Sequence, residues 1–210
     1  MTKKVKIEDM KALIIVDLQN DFMPGGSLPV PDGDKIIPII NQILPDFDLV
    51  IFTQDWHSAN SKGFASQHKG FKPFDKYVNK KGNEDILWPD HCIAGTPGAD
   101  IHKDLDYGKC KKNFYIFRKG LNKNSQGYSG FEDTKLAEFL RSRKVDEVVV
   151  CGLAFEFCCM KTALDSFYLG FETSFILDAV KHISEEGKNK ALDELIKTGI
   201  KIIKSSDLTQ

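Results

Sequence analysis

The sequence has little that would tie it to a membrane, a nucleic acid or a disulfide framework. The apolar stretch nearest its start, Ala12-Leu13-Ile14-Ile15-Val16, stops at Asp17 with no small-residue cleavage site, although Lys3, Lys4 and Lys6 precede it. A run so short fails both as a membrane span and as a signal peptide. Basic residues are not in excess, since 29 Lys and Arg stand against 30 Asp and Glu. No general field therefore exists to attract polyanions, and the cluster Lys109, Lys111 and Lys112 reads as a solvated loop. The cysteines are odd in number, five, with no C-x-x-C pair. That predicts reduced thiols in a cytoplasmic setting and argues against redox and zinc-ribbon motifs. No G-x-G-x-x-G follows the first apolar run and no phosphate-binding G-x-x-x-x-G-K-[ST] occurs, which removes the usual nucleotide platforms. Gly127-Tyr128-Ser129-Gly130 misses the spacing of a serine-hydrolase elbow.

What is present is the composition of a water-soluble globular chain, 41% hydrophobic and 28% charged over 210 residues. That length can bury one sizeable core, so residues 1–210 read as a single catalytic domain. Short β-rich runs at Ala12 to Val16, Leu49 to Thr53, Phe114 to Phe117, Glu147 to Cys151, Thr173 to Leu177 and Ile200 to Ile203 alternate with helical patterns. The helical patterns cover Asp34 to Leu44, Thr134 to Arg143, Glu156 to Leu169 and Ser184 to Thr198, the last opening on Ser184, Glu185 and Glu186, as a helix N-terminus requires. This alternation predicts an α/β fold of three αβα layers around a six-stranded, mainly parallel sheet. Residues 58–106 form a long irregular excursion, and such stretches inside a compact domain are usually functional or disordered.

In open α/β sheets ligands bind beyond the carboxyl ends of the strands. Reactive side chains gather there: Asp17 after the first run, Asp55 and His57 after the second, Arg118 and Lys119 after the third, and Cys158 after the fourth and the turn Gly152-Leu153-Ala154. A nearby ammonium and the positive end of its own helix would lower the thiol pKa of Cys158. First-turn amides could then hold an oxyanion, and Asp17 could accept the thiol proton and pass it to a leaving amine. Each residue also has a plain structural alternative: a buried cysteine is commonly an inert small hydrophobe, Asp17 could cap a turn, and Lys119 could sit in solvent. Cys159 and Cys151 read as packing residues.

A second cluster is Asp55-Trp56-His57 with His91. An Asp and a His one residue apart on extended chain point to the same side, and a His from the excursion could complete three ligands with open positions for water. Zinc, iron and manganese all suit such a set. A structural zinc site made by His91, Cys92 and a cysteine of the 158–159 pair is the competing arrangement. His68, His102 and His182 read as surface or structural residues.

Taken together, these residues resemble the nicotinamidase (pyrazinamidase) branch of the isochorismatase-like cysteine hydrolases. The anchors are Val16-Asp17-Leu18-Gln19-Asn20-Asp21-Phe22, Pro24-Gly25-Gly26-Ser27-Leu28, Thr53-Gln54-Asp55-Trp56-His57, Gly63-Phe64-Ala65-Ser66, Leu87-Trp88-Pro89-Asp90-His91-Cys92, Gly95-Thr96-Pro97-Gly98-Ala99, Lys119-Gly120, Tyr128-Ser129-Gly130-Phe131 and Cys151-Gly152-Leu153-Ala154. The resemblance implies hydrolysis of nicotinamide to nicotinic acid and ammonia through a cysteine thioester, in NAD salvage. A related amidase acting on another small carboxamide or carbamoyl compound is the alternative. It implies a catalytic triad of Asp17, Lys119 and Cys158, and oxyanion amides from Ala154 and Cys158 beside a cis Leu153–Ala154 bond. It further implies a ring pocket formed by Phe22, Trp88 and Leu153, and one divalent metal, zinc before iron or manganese, on Asp55, His57 and His91 to hold the pyridine nitrogen. The expected partner is the small-molecule substrate, with no nucleic acid or membrane and with homo-oligomerisation left open. Two departures stand out: Phe155-Glu156-Phe157-Cys158-Cys159 where the family often has Thr-Asp-Tyr-Cys-Val, and Ser61 where many relatives have a further histidine, so that Ser61 or water would complete the metal shell.

Overall fold

Continuous apolar runs bounded by helical segments can satisfy their backbone and bury both faces at once only in a parallel sheet covered on each side. The structure, a computed structural model, describes residues 10–79, 82–110 and 113–208. Lys3, Lys4 and Lys6, and Lys111 and Lys112 of the lysine cluster, lie outside them. In chain order the elements are β1 (Met10–Val16), α1 (Ile37–Ile43), β2 (Leu49–Asp55), β3 (Lys76–Val78), β4 (Glu84–Ile86), β5 (Asn113–Lys119), α2 (Leu136–Ser142), β6 (Val145–Gly152), α3 (Met160–Tyr168), β7 (Glu172–Val180), α4 (Glu185–Thr198) and β8 (Lys201–Ile203).

Six of the strands form one sheet in the order β5-β2-β1-β6-β7-β8, and every neighbouring pair is parallel. Alternate residues feed two cores. Leu13, Ile15, Val50 and Val149 meet Ile36, Ile40 and Ile43 of the α1 region on one face. Ala12, Ile14, Ile51 and Val150 meet Leu136 and Leu140 of α2, Ala163 and Leu164 of α3, and Ala191 and Leu195 of α4 on the other. The three αβα layers are thus unequal in helices, and much of the α1 face is closed by loops carrying Phe22, Trp88 and Leu105. No helix among the described residues is long and apolar enough to cross a membrane.

Several boundaries differ from the sequence expectation. β5 runs on to Lys119 and β2 to Asp55, because the two strands stay in register to their ends, with Asp55 opposite Lys119. The excursion is not wholly irregular, for β3 and β4 pair antiparallel within it. Their three-residue polar segments give no apolar signal. The helix expected from Glu156 starts as α3 at Met160, after a wide turn over Phe155–Cys159 in which the Cys159 amide reaches back to the Ala154 carbonyl at 3.2 Å. Such i→i+5 turns recur at functional sites. Ser184 caps α4, its hydroxyl accepting from the Gly187 amide at 3.0 Å.

Strand order reverses between β1 and β6, since β2 and β5 lie on one side of β1 and β7 and β8 lie beyond β6. Ligands of open α/β sheets bind at that switch point. Chain crowding there is extreme: a Cβ on Gly152, at φ +120°, would sit 2.1 Å from the Val16 carbonyl oxygen, so only glycine lets β6 end against β1.

Candidate active site

Four strand ends converge on this point. Asp17 leaves β1 in the left-handed region, φ 50°, a conformation aspartate tolerates better than most residues, and its side chain turns inward. The Thr53 hydroxyl donates to Asp17 Oδ1 at 2.6 Å and accepts from the Asp17 amide at 3.2 Å. Lys119, at the end of β5, is 1% exposed. Its ammonium lies 2.7 Å from Asp17 Oδ2 and 2.7 Å from Asp55 Oδ1. It also donates to the Gly127 carbonyl at 2.9 Å and reaches the sulfur of Cys158 at 3.4 Å.

An ammonium has three protons. Four acceptors surround them, Asp17 and Asp55 at 2.7 Å, Gly127 at 2.9 Å and the Cys158 sulfur, the farthest, at 3.4 Å. The Asp17 carboxylate is also in reach of the thiol proton: Asp17, Asp55 and Cys158 each offer an atom within 4.8 Å of the others.

Burial pushes the Asp17 carboxyl up to about 6, with Lys119 opposing and Asp55 adding to the rise. Burial also favours protonation of Asp55, but the Lys119 ammonium and His57 outweigh it and hold that carboxyl below the usual range. Burial works against the charge on Lys119, yet Asp17 and Asp55 keep it firmly protonated. For Cys158 the sequence expectation of a lowered thiol pKa is reversed. Burial raises it, Asp17 and Asp55 raise it further, and only Lys119 pulls it down. The sulfur is a thiol at rest, beside a carboxylate placed to deprotonate it.

Asp55 belongs to a second group as well. Its Oδ2 faces His57 Nε2 at 3.5 Å and His91 Nε2 at 3.9 Å. All three residues are buried, and each offers a ligand atom within 4.8 Å of the others. His91 Nδ1 lies 2.7 Å from the Pro89 carbonyl. A carbonyl can only accept, so Nδ1 carries the proton and the Nε2 lone pair faces the carboxylate. Burial, with His57 nearby, lowers the His91 pKa to about 4, which keeps the ring neutral. One carboxylate and two imidazoles converging in a buried pocket are a donor set that fits a divalent metal. Cys92 does not join them; its thiol turns toward the Gly98 carbonyl at 4.0 Å, which removes the competing structural-zinc arrangement.

Asp55, His57, His91, Ser61, Ala154 and Cys158 all border one cavity. Phe22 and Trp88 form its aromatic walls, joined by Tyr128 and Phe157. Trp88 and Phe157 meet edge to face with centroids 4.8 Å apart, and the indole donates to the Tyr128 hydroxyl at 2.9 Å. Leu153 requires a correction: its side chain is fully buried in the α1-side core and does not border the cavity. The Leu153–Ala154 bond is cis. Ala154 rather than Leu153 meets the cavity.

Gln19 was given no role in the sequence. It is fully buried, accepts from the Asp55 amide at 2.7 Å and donates to the Asp55 carbonyl at 2.8 Å, fixing that residue's backbone from both sides. Gly120 makes room for the His57 ring, since a Cβ there would lie 2.5 Å from Cε1. The other histidines stay apart: His68 pairs with the Lys62 carbonyl, His102 receives the Asp104 amide, and His182 pairs with Glu185. All five cysteines are free, and Cys151 and Cys159 are core residues.

A family model of the isochorismatase domain matches residues 11–207. A nicotinamidase of Acinetobacter baylyi is 40% identical over 204 residues, 94% of either chain. Among solved structures, a nicotinamidase and pyrazinamidase of Acinetobacter baumanii superposes with a TM-score of 0.90 at 40% identity, over 97% of this chain and 100% of that one. A pyrazinamidase of Pyrococcus horikoshii in complex with zinc does so with a TM-score of 0.77 at 41% identity, over 92% and 98%.

Proposed function

This chain belongs to the isochorismatase family, and on that premise we propose that it is a nicotinamidase, hydrolysing nicotinamide to nicotinic acid and ammonia in NAD salvage. The observation that carries the reading is the Cys158 sulfur, 3.4 Å from the Lys119 ammonium and beside Asp17, in a cavity shared with aromatic walls and a metal-ligand set. Asp17 takes the thiol proton as the sulfur attacks the carboxamide carbon. Lys119 holds the negative charge in place, and the backbone amides of Ala154 and Cys158 receive the oxyanion. The C–N bond then breaks, Asp17 returns its proton to the departing nitrogen, and ammonia leaves a thioester on Cys158. Asp17 next deprotonates water, which attacks the thioester and restores the thiol.

Phe22 and Trp88 hold the ring in position. A divalent ion on Asp55, His57 and His91, zinc by the chemistry of the donors and by the likeness to the zinc-bound pyrazinamidase, would coordinate the pyridine nitrogen and fix the ring's orientation. Ser61, buried beside this set, or a water would complete the shell. The five free cysteines support a cytoplasmic setting. Every group in this scheme comes from the one domain.

A substrate panel tests the reading against amidases for other carboxamide or carbamoyl compounds. The account expects kcat/KM for nicotinamide to exceed that for a carbamoyl compound without a pyridine ring by about 10²-fold or more. Equal rates would transfer the assignment to a broader amidase.

Two further results are expected. A base must be unprotonated, and Asp17 titrates at about 6. The pH profile of kcat/KM should be level at neutral pH and fall about tenfold per unit below pH 6; a profile level down to pH 4 contradicts the role of Asp17. Chelation should abolish ammonia release yet leave the circular dichroism spectrum unchanged, with activity returning when zinc is added. The metal ligands hang on the rim of a sheet whose two cores do not need them. Loss of the spectrum on chelation would mean that the metal is structural.

A further inference from the structure

Glu156 is a carboxylate only 7% exposed, two residues before the nucleophile, in the wide turn that presents Cys158. It does not face the substrate cavity. Its Oε1 accepts from the backbone amides of Ile183 at 2.9 Å and Ser184 at 2.8 Å, and its Oε2 takes a longer bond, 3.2 Å, from Ile183. One residue earlier, the Phe155 amide donates to the Lys181 carbonyl at 2.7 Å. The first turn of α4 fits closely against the same side chain: a Cβ on Gly187 would lie 2.8 Å from Ser184 Oγ, 2.9 Å from Glu156 Cγ and 3.0 Å from Glu156 Oε1. Because Ser184 already caps α4 with its own hydroxyl, Glu156 acts as a clasp between two segments, one carrying the sulfur and the other joining β7 to α4.

A turn with i→i+5 spacing has fewer of its own hydrogen bonds to fix it than a regular helix, so external ties set where its residues point. We propose that Glu156 is a positioning residue for the hydrolytic reaction, holding the Cys158 turn against the 181–184 segment so that the sulfur stays against Lys119 and beside Asp17. This rests on the nicotinamidase reading for its kinetic arm. Phe22, Trp88 and the metal ligands come from other loops, but Phe157 of the same turn and Ile183 of the clasped segment also line the cavity, so a loosened clasp should disturb the chemical step first and ring binding to a lesser degree. A nucleophile displaced by about 1 Å can lose up to about 10²-fold in rate.

The test compares wild type with E156A, E156Q and G187A in kcat and KM for nicotinamide, and in the rate at which iodoacetamide alkylates Cys158, read by peptide mass. E156A should lose about tenfold or more in kcat, a larger change than any in KM, and should alkylate more slowly as the sulfur leaves Asp17 and Lys119. E156Q keeps an acceptor oxygen for both short bonds and should retain most of the activity. G187A, helix-favouring and remote from the cavity, should lower kcat by displacing the Glu156 side chain, and it carries the test if E156A does not fold. Wild-type kcat and alkylation in E156A or G187A, or E156Q as impaired as E156A, would overturn the proposal. If wild type releases no ammonia from nicotinamide, the substrate reading alone fails, and the alkylation rates decide the role of Glu156.

Discussion

Cys158→Ala should lose about 10⁴-fold or more in kcat/KM for nicotinamide while its circular dichroism and metal content match wild type. The size of the loss follows from what remains. Asp17 and Lys119 keep each other and Asp55 as partners, so the pocket stays folded and charged, but no other sulfur can replace the missing one: Cys159 is fully buried in the helical core and Cys151 lies within β6. Water activated by Asp17 would be left to attack the carboxamide directly, without the thioester that divides one difficult step into two. Activity within tenfold of wild type would show that the reaction is not covalent at this cysteine.

Lys119→Met has the second large consequence, and it falls on stability as well as on rate. Methionine nearly fills the volume of the lysine but leaves Asp17 and Asp55 buried with no cation between them. Removing one partner of a buried charge cluster costs about 3–5 kcal/mol, and urea denaturation at neutral pH should show a loss of that order. With the ammonium gone, the folded-state pKa of Asp17 rises further above its ordinary unfolded value, and that of Asp55, held below the ordinary value in wild type, rises too. A group whose folded pKa is raised binds its proton more readily when folded, so the deficit should be greatest above neutral pH and shrink as pH falls toward 5. A deficit independent of pH would mean that packing, not charge, accounts for the loss. Ammonia release should drop by at least about 10²-fold at every pH, because the charge that steadies thiolate and oxyanion is absent.

The sheet was readable because its strands are nearly unbroken apolar runs, and Asp17, Asp55, His57 and Cys158 were readable because polar residues directly after such runs have few structural reasons to be there. Lys119 shows where that logic weakens. It lies inside β5, not beyond it, and its burial depends on register with Asp55 across the sheet, which no local pattern encodes. The thiol pKa of Cys158 was misjudged in direction for a related reason: the ammonium is visible in sequence, but the complete burial that outweighs it is a property of the assembled loops. Leu153 was placed in the pocket by the family resemblance, and the structure puts its side chain in the α1-side core instead. Gln19 carried a signal that went unused, a long polar side chain two residues past a buried strand, and its task of bracing Asp55 appears only once β1 and β2 lie side by side.

Purified protein loaded with zinc and given nicotinamide should release ammonia and nicotinic acid in equal amounts, catalytically and over many turnovers. If ammonia does not appear with zinc, iron and manganese each supplied in turn, the thiol, carboxylate and ammonium gathered at the mouth of the sheet serve some other chemistry and the account fails.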